Sequence, residues 1–175
     1  MKESRVSPSE KEKSAALTDI LRLFLRLAVL ILLSALLVTK VFLITQASGN
    51  DMSPSVKDGD LLFAFRLQRD HEKNDVVIYS RGQEKAVGRI AALEGDVVTL
   101  DDSGILLVNG TVQSGALPYP TYAGENLTYP YRVPAGSVFL LGDDRPSARD
   151  SRVCGAVPLE DIRGTVFTIL RRRGL

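Results

Sequence analysis

The residues able to do chemistry are few, and they sit in three short segments of this 175-residue chain. The first is Gly49-Asn50-Asp51-Met52-Ser53-Pro54-Ser55, where a carboxylate and two hydroxyls cluster. The second runs from Gly88-Arg89 to Gly95-Asp96, and the third is Gly142-Asp143-Asp144-Arg145-Pro146-Ser147-Ala148-Arg149-Asp150-Ser151-Arg152. A carboxylate such as Asp51 can be a nucleophile in some reactions, but it is a poor one towards an amide, and its charge opposes an oxyanion developing beside it. A serine would need a neutral amine to take its proton. Ser53, two positions along from Asp51, faces the same side of an extended segment but roughly 6 to 7 Å further on. Lys85, three positions before Gly88, points to the opposite face of a strand and is displaced by roughly 10 Å. Neither replaces a missing group in place. The charged residues of both signs in the second and third segments read as a salt-bridged scaffold. One cysteine, Cys154, and one histidine, His71, exclude an internal disulfide and a Cys/His metal cluster. Cys154 reads as a small apolar filler, and no cofactor or metal is expected.

Those segments must be carried by something. Charge is nearly balanced, with 22 Lys and Arg against 21 Asp and Glu, so no basic surface argues for nucleic acid. The chain from Leu21 to Ile44 is apolar if Arg22, Arg26 and Lys40 snorkel to the interfaces, which is long enough to span a bilayer. Six basic residues (Lys2, Arg5, Lys11, Lys13, Arg22, Arg26) precede or open it and only Lys40 lies close on the far side, which places the N-terminus in the cytoplasm. The expected division is a cytoplasmic segment 1–20, a transmembrane helix 21–44 and an extracytoplasmic β domain 45–175, anchored in the cell membrane with the domain extracellular. A cleaved secretory signal ending near Thr45-Gln46-Ala47 is the rival. Against it, Thr45 is not the small alanine-like residue such a site wants, and the apolar run continues through Val41-Phe42-Leu43-Ile44.

After Gln46 the pattern changes to short strands and turns. Candidate strands are 61–67, 75–79, 86–93, 97–100, 105–111, 137–141 and 164–170, with turns at Gly59-Asp60, Gly95-Asp96, Asp102-Ser103-Gly104 and the type I′ pair Asn109-Gly110. The expectation is a mainly β, antiparallel domain preceded by one N-terminal transmembrane helix. Residues 113–136 interleave Pro118, Pro120, Pro130 and Pro134 with Tyr119, Tyr122, Tyr129 and Tyr131, which reads as an extended loop or edge. The closing Arg171-Arg172-Arg173 reads as a solvated end.

The three segments, in order, resemble the boxes of the type I signal peptidases, membrane-bound serine-lysine endopeptidases that remove secretory signals. Gly49 to Ser55, followed by Gly59-Asp60, is similar to the Ser-Met-x-Pro-Thr box. Gly88 to Asp96 is similar to Lys-Arg-Val-x-Gly-x-Pro-Gly-Asp, and Gly142 to Arg152 to the Gly-Asp-Asn-Arg box ending in Asp-Ser-Arg. The resemblance implies a signal-peptidase-type β fold with a cleft. It puts the nucleophile at Asp51, the general base at Gly88 and a lysine-orienting serine at Ala148, so none of the three reactive groups is present. It leaves the cleft and scaffold residues Met52, Ser53, Pro54, Arg89, Asp143, Arg145, Asp150, Ser151 and Arg152.

The expectation is therefore a catalytically inactive homologue acting as a peptide-binding or chaperone-like accessory factor. With aspartate and glycine at those two places, the chain resembles SipA-type signal-peptidase-like proteins of Gram-positive pilus assembly, which implies an extended peptide of a secreted surface protein, a pilin, as partner. Two alternatives stand beside this: an active peptidase using displaced groups, and a scaffold with a vestigial cleft. Loss of the lysine stem at Gly88 is expected to open space in the cleft and to leave Asp51 without a neighbouring cation.

Overall fold

The computed structural model describes residues 8–113, 119–124 and 126–171. The chain divides into two units, residues 1–40 and 41–175. The first is carried by helix α1 (Pro8–Val41). Within it, an 18-residue window of mean hydropathy 2.4 lies in Ala16–Val41, a 26-residue, largely apolar stretch exposed as far as Lys40. At 1.5 Å per residue it extends about 39 Å, more than the roughly 30 Å of hydrocarbon in a bilayer. Lys2 and Arg5 lie outside the described residues.

The helix ends three residues earlier than expected, because Phe42–Gln46 is strand β1 rather than helix. An apolar run satisfies either element. Here Phe42, Ile44 and Gln46 find antiparallel partners in Phe65, Phe63 and Leu61 of β2 (Leu61–Phe65), and the Phe42 ring lies 5.8 Å from that of Phe65. Cross-strand aromatic pairs of this kind stabilise a sheet more than one further helical turn of β-branched and aromatic residues would gain.

The remaining strands are β3 (Val76–Arg81), β4 (Glu84–Ala92), β5 (Val97–Leu100), β6 (Leu106–Val108), β7 (Thr111–Val112), β8 (Tyr131–Arg132), β9 (Ser137–Leu141), β10 (Val157–Pro158) and β11 (Ile162–Leu170), with the short helix α2 (Ser151–Cys154) between β9 and β10. The domain is mainly β and antiparallel, preceded by one apolar helix, as its period-2 segments predict. A seven-stranded sheet has the order β1-β2-β11-β3-β4-β9-β10, and a four-stranded sheet the order β7-β6-β5-β8. The expected strand 105–111 is split into β6 and β7 by Asn109-Gly110, whose φ of 53° and 77° are those a type I′ turn requires. Of the proline-tyrosine region, Tyr131 enters β8, while Pro118 falls outside the described residues.

Burial follows the alternation. On β4, Ala86, Gly88, Ile90 and Ala92 point inward, and Ala86 and Ile90 join Val77, Tyr79, Val138 and Leu140 in one apolar cluster. A second cluster packs Met52 of the first chemical segment, with the flanking Ala47 and Val56, on Leu62, Ala64 and Ile78. A third joins Val98, Leu106 and Val108 of the smaller sheet to Val133 and to Phe139 and Leu141 of β9. Two expectations fail at the rim. Cys154 is exposed at the end of α2 rather than filling a core; the residues that α2 buries are Ser151 and Arg152 at its start. Arg171 is more than a solvated end: its guanidinium donates to Pro54 and Ser55 carbonyls at 3.3 and 3.1 Å and lies 3.8 Å from Asp60.

The turn after β4 carries a pH-sensitive carboxylate. Burial works against ionisation of Asp96, but bonds from the Leu93 amide (2.8 Å), Lys73 (3.0 Å) and Asn109 (2.6 Å) outweigh it and hold its pKa below the ordinary value of 3.8. A depressed carboxylate contributes stability that is present above its unfolded pKa and lost as pH falls through the folded one. Chemical denaturation between pH 6 and 2 is expected to show stability falling below about pH 4, with a shallower fall for Asp96→Asn.

Candidate active site

The first chemical segment is a set of turns, not an extended strand. The Ser53 amide donates to Asn50 O (2.8 Å) and that of Val56 to Met52 O (2.9 Å), with Met52 buried beneath. Ser53 therefore does not repeat the facing of Asp51 two positions on. The third segment closes against this loop through Gly142. A Cβ there would stand 2.3 Å from Ala148 Cβ and 2.5 Å from Asp51 O, so only glycine permits the approach. The Asp144 amide then donates to Asp51 O at 3.0 Å. Asp51 and Ala148 are thus brought to one place by a missing side chain.

Two buried carboxylates fix the third segment. Asp143 is fully buried and takes a fork from Arg89, Nε to Oδ1 at 2.8 Å and Nη2 to Oδ2 at 2.6 Å. Asp150 takes the same fork from Arg152, both contacts at 2.8 Å, and also caps α2 by accepting from the Arg152 amide and from the Gly142 amide. The Ser151 hydroxyl accepts from the Leu140 amide of β9. Bidentate pairs of this geometry satisfy the lone pairs that burial strips of water. Arg145 is bonded differently, to Gly142 O (3.0 Å) and the Thr121 hydroxyl.

At the centre the structure departs from the expectations drawn from sequence. Asp51 is not left without a cation: Arg81 Nη1 lies 3.1 Å from Oδ2 and donates to Arg149 O at 2.7 Å. Nor is space opened at Gly88. A Cβ there would meet Tyr79 Cε1 and Leu140 Cβ, each at 3.3 Å, so both neighbours pack closely on the glycine and would have to give by a few tenths of an ångström to admit a side chain. Burial pushes the pKa of the Tyr79 hydroxyl up; Asp150, Cys154 and Asp51 add to this while Arg81 opposes it. The phenol stays protonated at neutral pH and takes no proton from a nucleophile. The cavity beside Asp51, walled by Ser48, Met52, Arg81 and Val87, is about 10 Å³, room for one water at most.

Tyr79 and Arg81 were not legible as site residues from their own segment. The signal lay in the hairpin: Gly82-Gln83 joins β3 to β4 and sets Tyr79 opposite Ala86, one diagonal step from Gly88. Lys85 is exposed on the other face of β4. His71 bonds Thr165 (3.3 Å), and burial lowers its pKa against the pull of Asp75 and Asp70.

This arrangement of box segments has known counterparts. The family described as "Signal peptidase, peptidase S26" matches residues 20–170. The chain belongs to this family. It is 33% identical over 134 residues to a signal peptidase I of Bacillus caldolyticus, covering 67% of this chain and 73% of that protein. It is 36% identical over 132 residues to a probable thylakoidal processing peptidase 2 of Arabidopsis thaliana, covering 66% of this chain and 34% of the other. A signal peptidase I crystal structure from Enterococcus faecalis matches at 26% identity with a TM-score of 0.46, over 57% of this chain and 98% of that one. The N-terminal apolar helix and the signal peptidase relatives together point to membrane anchoring.

The ion pairs divide by burial. Arg81 and Asp51 are 29% and 32% exposed, whereas Arg152 and Asp150 are 9% and 5% exposed. Removing Arg152 strands a buried charge, so Arg152→Ala is expected to cost about 3 to 5 kcal/mol. Arg81→Ala breaks a half-solvated pair and is expected to cost about 1 kcal/mol or less. Thermal or urea unfolding of the two variants checks the contrast; equal losses would contradict it.

Proposed function

We propose that this chain is a membrane-tethered, catalytically inactive member of the signal peptidase family that holds a peptide segment of a secreted protein without cutting it. On this reading Asp51, Gly88 and Ala148 stand at the family's nucleophile, base and lysine-orienting positions. The observation that carries it is the packing of Tyr79 over Gly88. Serine-lysine chemistry needs a neutral amine beside the nucleophile; Gly88 supplies none, the Tyr79 ring packs against it, and Arg81, a permanent cation, engages Asp51. Loss of nucleophile and base costs on the order of a millionfold in turnover, which is no peptidase at all. The displaced-group alternative is weakened by the turn at Ser53 and by Lys85 facing away.

The tether is α1, with residues 1–20 cytoplasmic and the β domain extracellular, a direction supported by the basic residues at its start. The partner is a surface subunit, a pilin on the likeness to SipA-type proteins. The closed cavity beside Asp51 favours a vestigial catalytic cleft over capture at that point, so any peptide is held elsewhere on the domain.

Full-length protein in detergent, incubated with a signal-peptide substrate, is expected to give no cleavage product, and Asp51→Ser alone none either. Turnover by the native chain that disappears in Ser53→Ala would overturn this reading.

A further inference from the structure

A second, larger cavity lies away from Asp51. It measures about 580 Å³ and shares no lining residue with the small cavity there. That size falls within the range of ligand sites, roughly 300 to 1,000 Å³. One wall is β4 at Arg89, Ile90 and Ala91, and the other is the β6–β7 hairpin, which contributes Leu106 and Val112. Ile105 and Val112 at the rim are 43% and 54% exposed. β7 is the outer strand of the smaller sheet, so an extended segment can lie along it.

Charge decides what such a segment must carry. Three guanidiniums, Arg89, Arg145 and Arg152, surround two buried carboxylates, and the forks assign Asp143 to Arg89 and Asp150 to Arg152. Asp144 takes the Ser147 hydroxyl. Arg145 is left with a carbonyl and a hydroxyl as its bonding partners and with no carboxylate in ion-pair contact among the described residues. It lines the cavity, whose described lining contains no Asp or Glu. Burial, with the like charges of Arg152 and Arg89, pushes its pKa down, and the nearby Asp150 and Asp143 offset this only in part. A partly buried guanidinium without a carboxylate is costly unless something supplies one.

We propose that this cavity binds an extended, largely apolar peptide through a carboxylate seated on Arg145, its apolar side chains lying on the exposed Ile105 and Val112. The inference rests on the reading of the chain as a peptide holder and gives that reading a site distinct from Asp51. The carboxylate comes from an Asp or Glu side chain or from a peptide C-terminus, and both present the same planar pair of oxygens to the guanidinium fork.

The test uses full-length protein in detergent micelles and fluorescein-labelled apolar ten-residue peptides, read by anisotropy. One carries an internal Glu and an amidated end, one is neutral with a free C-terminal carboxylate, and one is neutral and amidated. The native chain is expected to bind at least one carboxylate-bearing peptide about tenfold or more tightly than the neutral amide, and whichever binds identifies the source. Arg145→Gln is expected to abolish that preference and Arg145→Lys to keep part of it. Because Arg145→Gln also loosens the Gly142 and Thr121 contacts, Val112→Asp gives a second route: an exposed position that sets a competing carboxylate at the rim and is expected to abolish the preference with unchanged thermal stability. Peptide binding that is blind to the carboxylate, or a preference that survives both variants, overturns the Arg145 site while leaving a peptide holder in place. No binding in any arm overturns both.

Discussion

The site depends on how two carboxylates are kept underground. Asp143 and Asp150 lie in a single loop between β9 and α2, both essentially out of water, and each is neutralised by one guanidinium fork. A buried ion pair gives little net stability over an apolar substitute, but its directional bonds fix a geometry that apolar packing would leave free to slide. Arg89 ties the loop to β4, and Asp150 ties it back to the amide of Gly142. Gly142 in turn admits the Asp51 carbonyl to a distance no other residue allows. The loop's position, the turn at Asp51 and the seat of Ala148 are consequences of that one closure.

What occupies the centre of this frame is equally determined by packing. Glycine inside a strand invites close approach by a neighbour, and at Gly88 the neighbour is the ring of Tyr79. With the phenol buried, the charge available to Asp51 is Arg81, which stands two residues after Tyr79 and so on the same face of β3. The pair is half exposed and contributes little to folding. Its consequence is electrostatic: the Asp51 carboxylate is bound to a permanent cation, which lowers its nucleophilicity.

Much of this was legible in the sequence. The apolar helix and the alternating strands follow from hydrophobic periods, and the turns from Gly and Asn at positions needing positive φ, as at Asn109-Gly110. The box segments themselves are linear motifs. What escaped is what periods and motifs do not encode. Phe42 to Ile44 suits a membrane helix and an edge strand equally, and the choice rests on partners 19 or more residues away in β2. Ser53 sits in a turn because Val56 reaches back to Met52. Tyr79 and Arg81 act across a hairpin, and the unpaired state of Arg145 emerges only when each carboxylate has been assigned its guanidinium.

The proposed reading holds that the Tyr79 ring, packed against Gly88, keeps a catalytic amine from the place beside Asp51. It is tested most directly by restoring the family's groups, Asp51→Ser, Gly88→Lys and Ala148→Ser, with Tyr79 present and again with Tyr79→Ala, and measuring signal-peptide cleavage by folded protein. Cleavage confined to the variant lacking the ring is the predicted result. Equal cleavage with the ring in place would contradict it, because a lysine at 88 would then reach the serine past an undisturbed Tyr79.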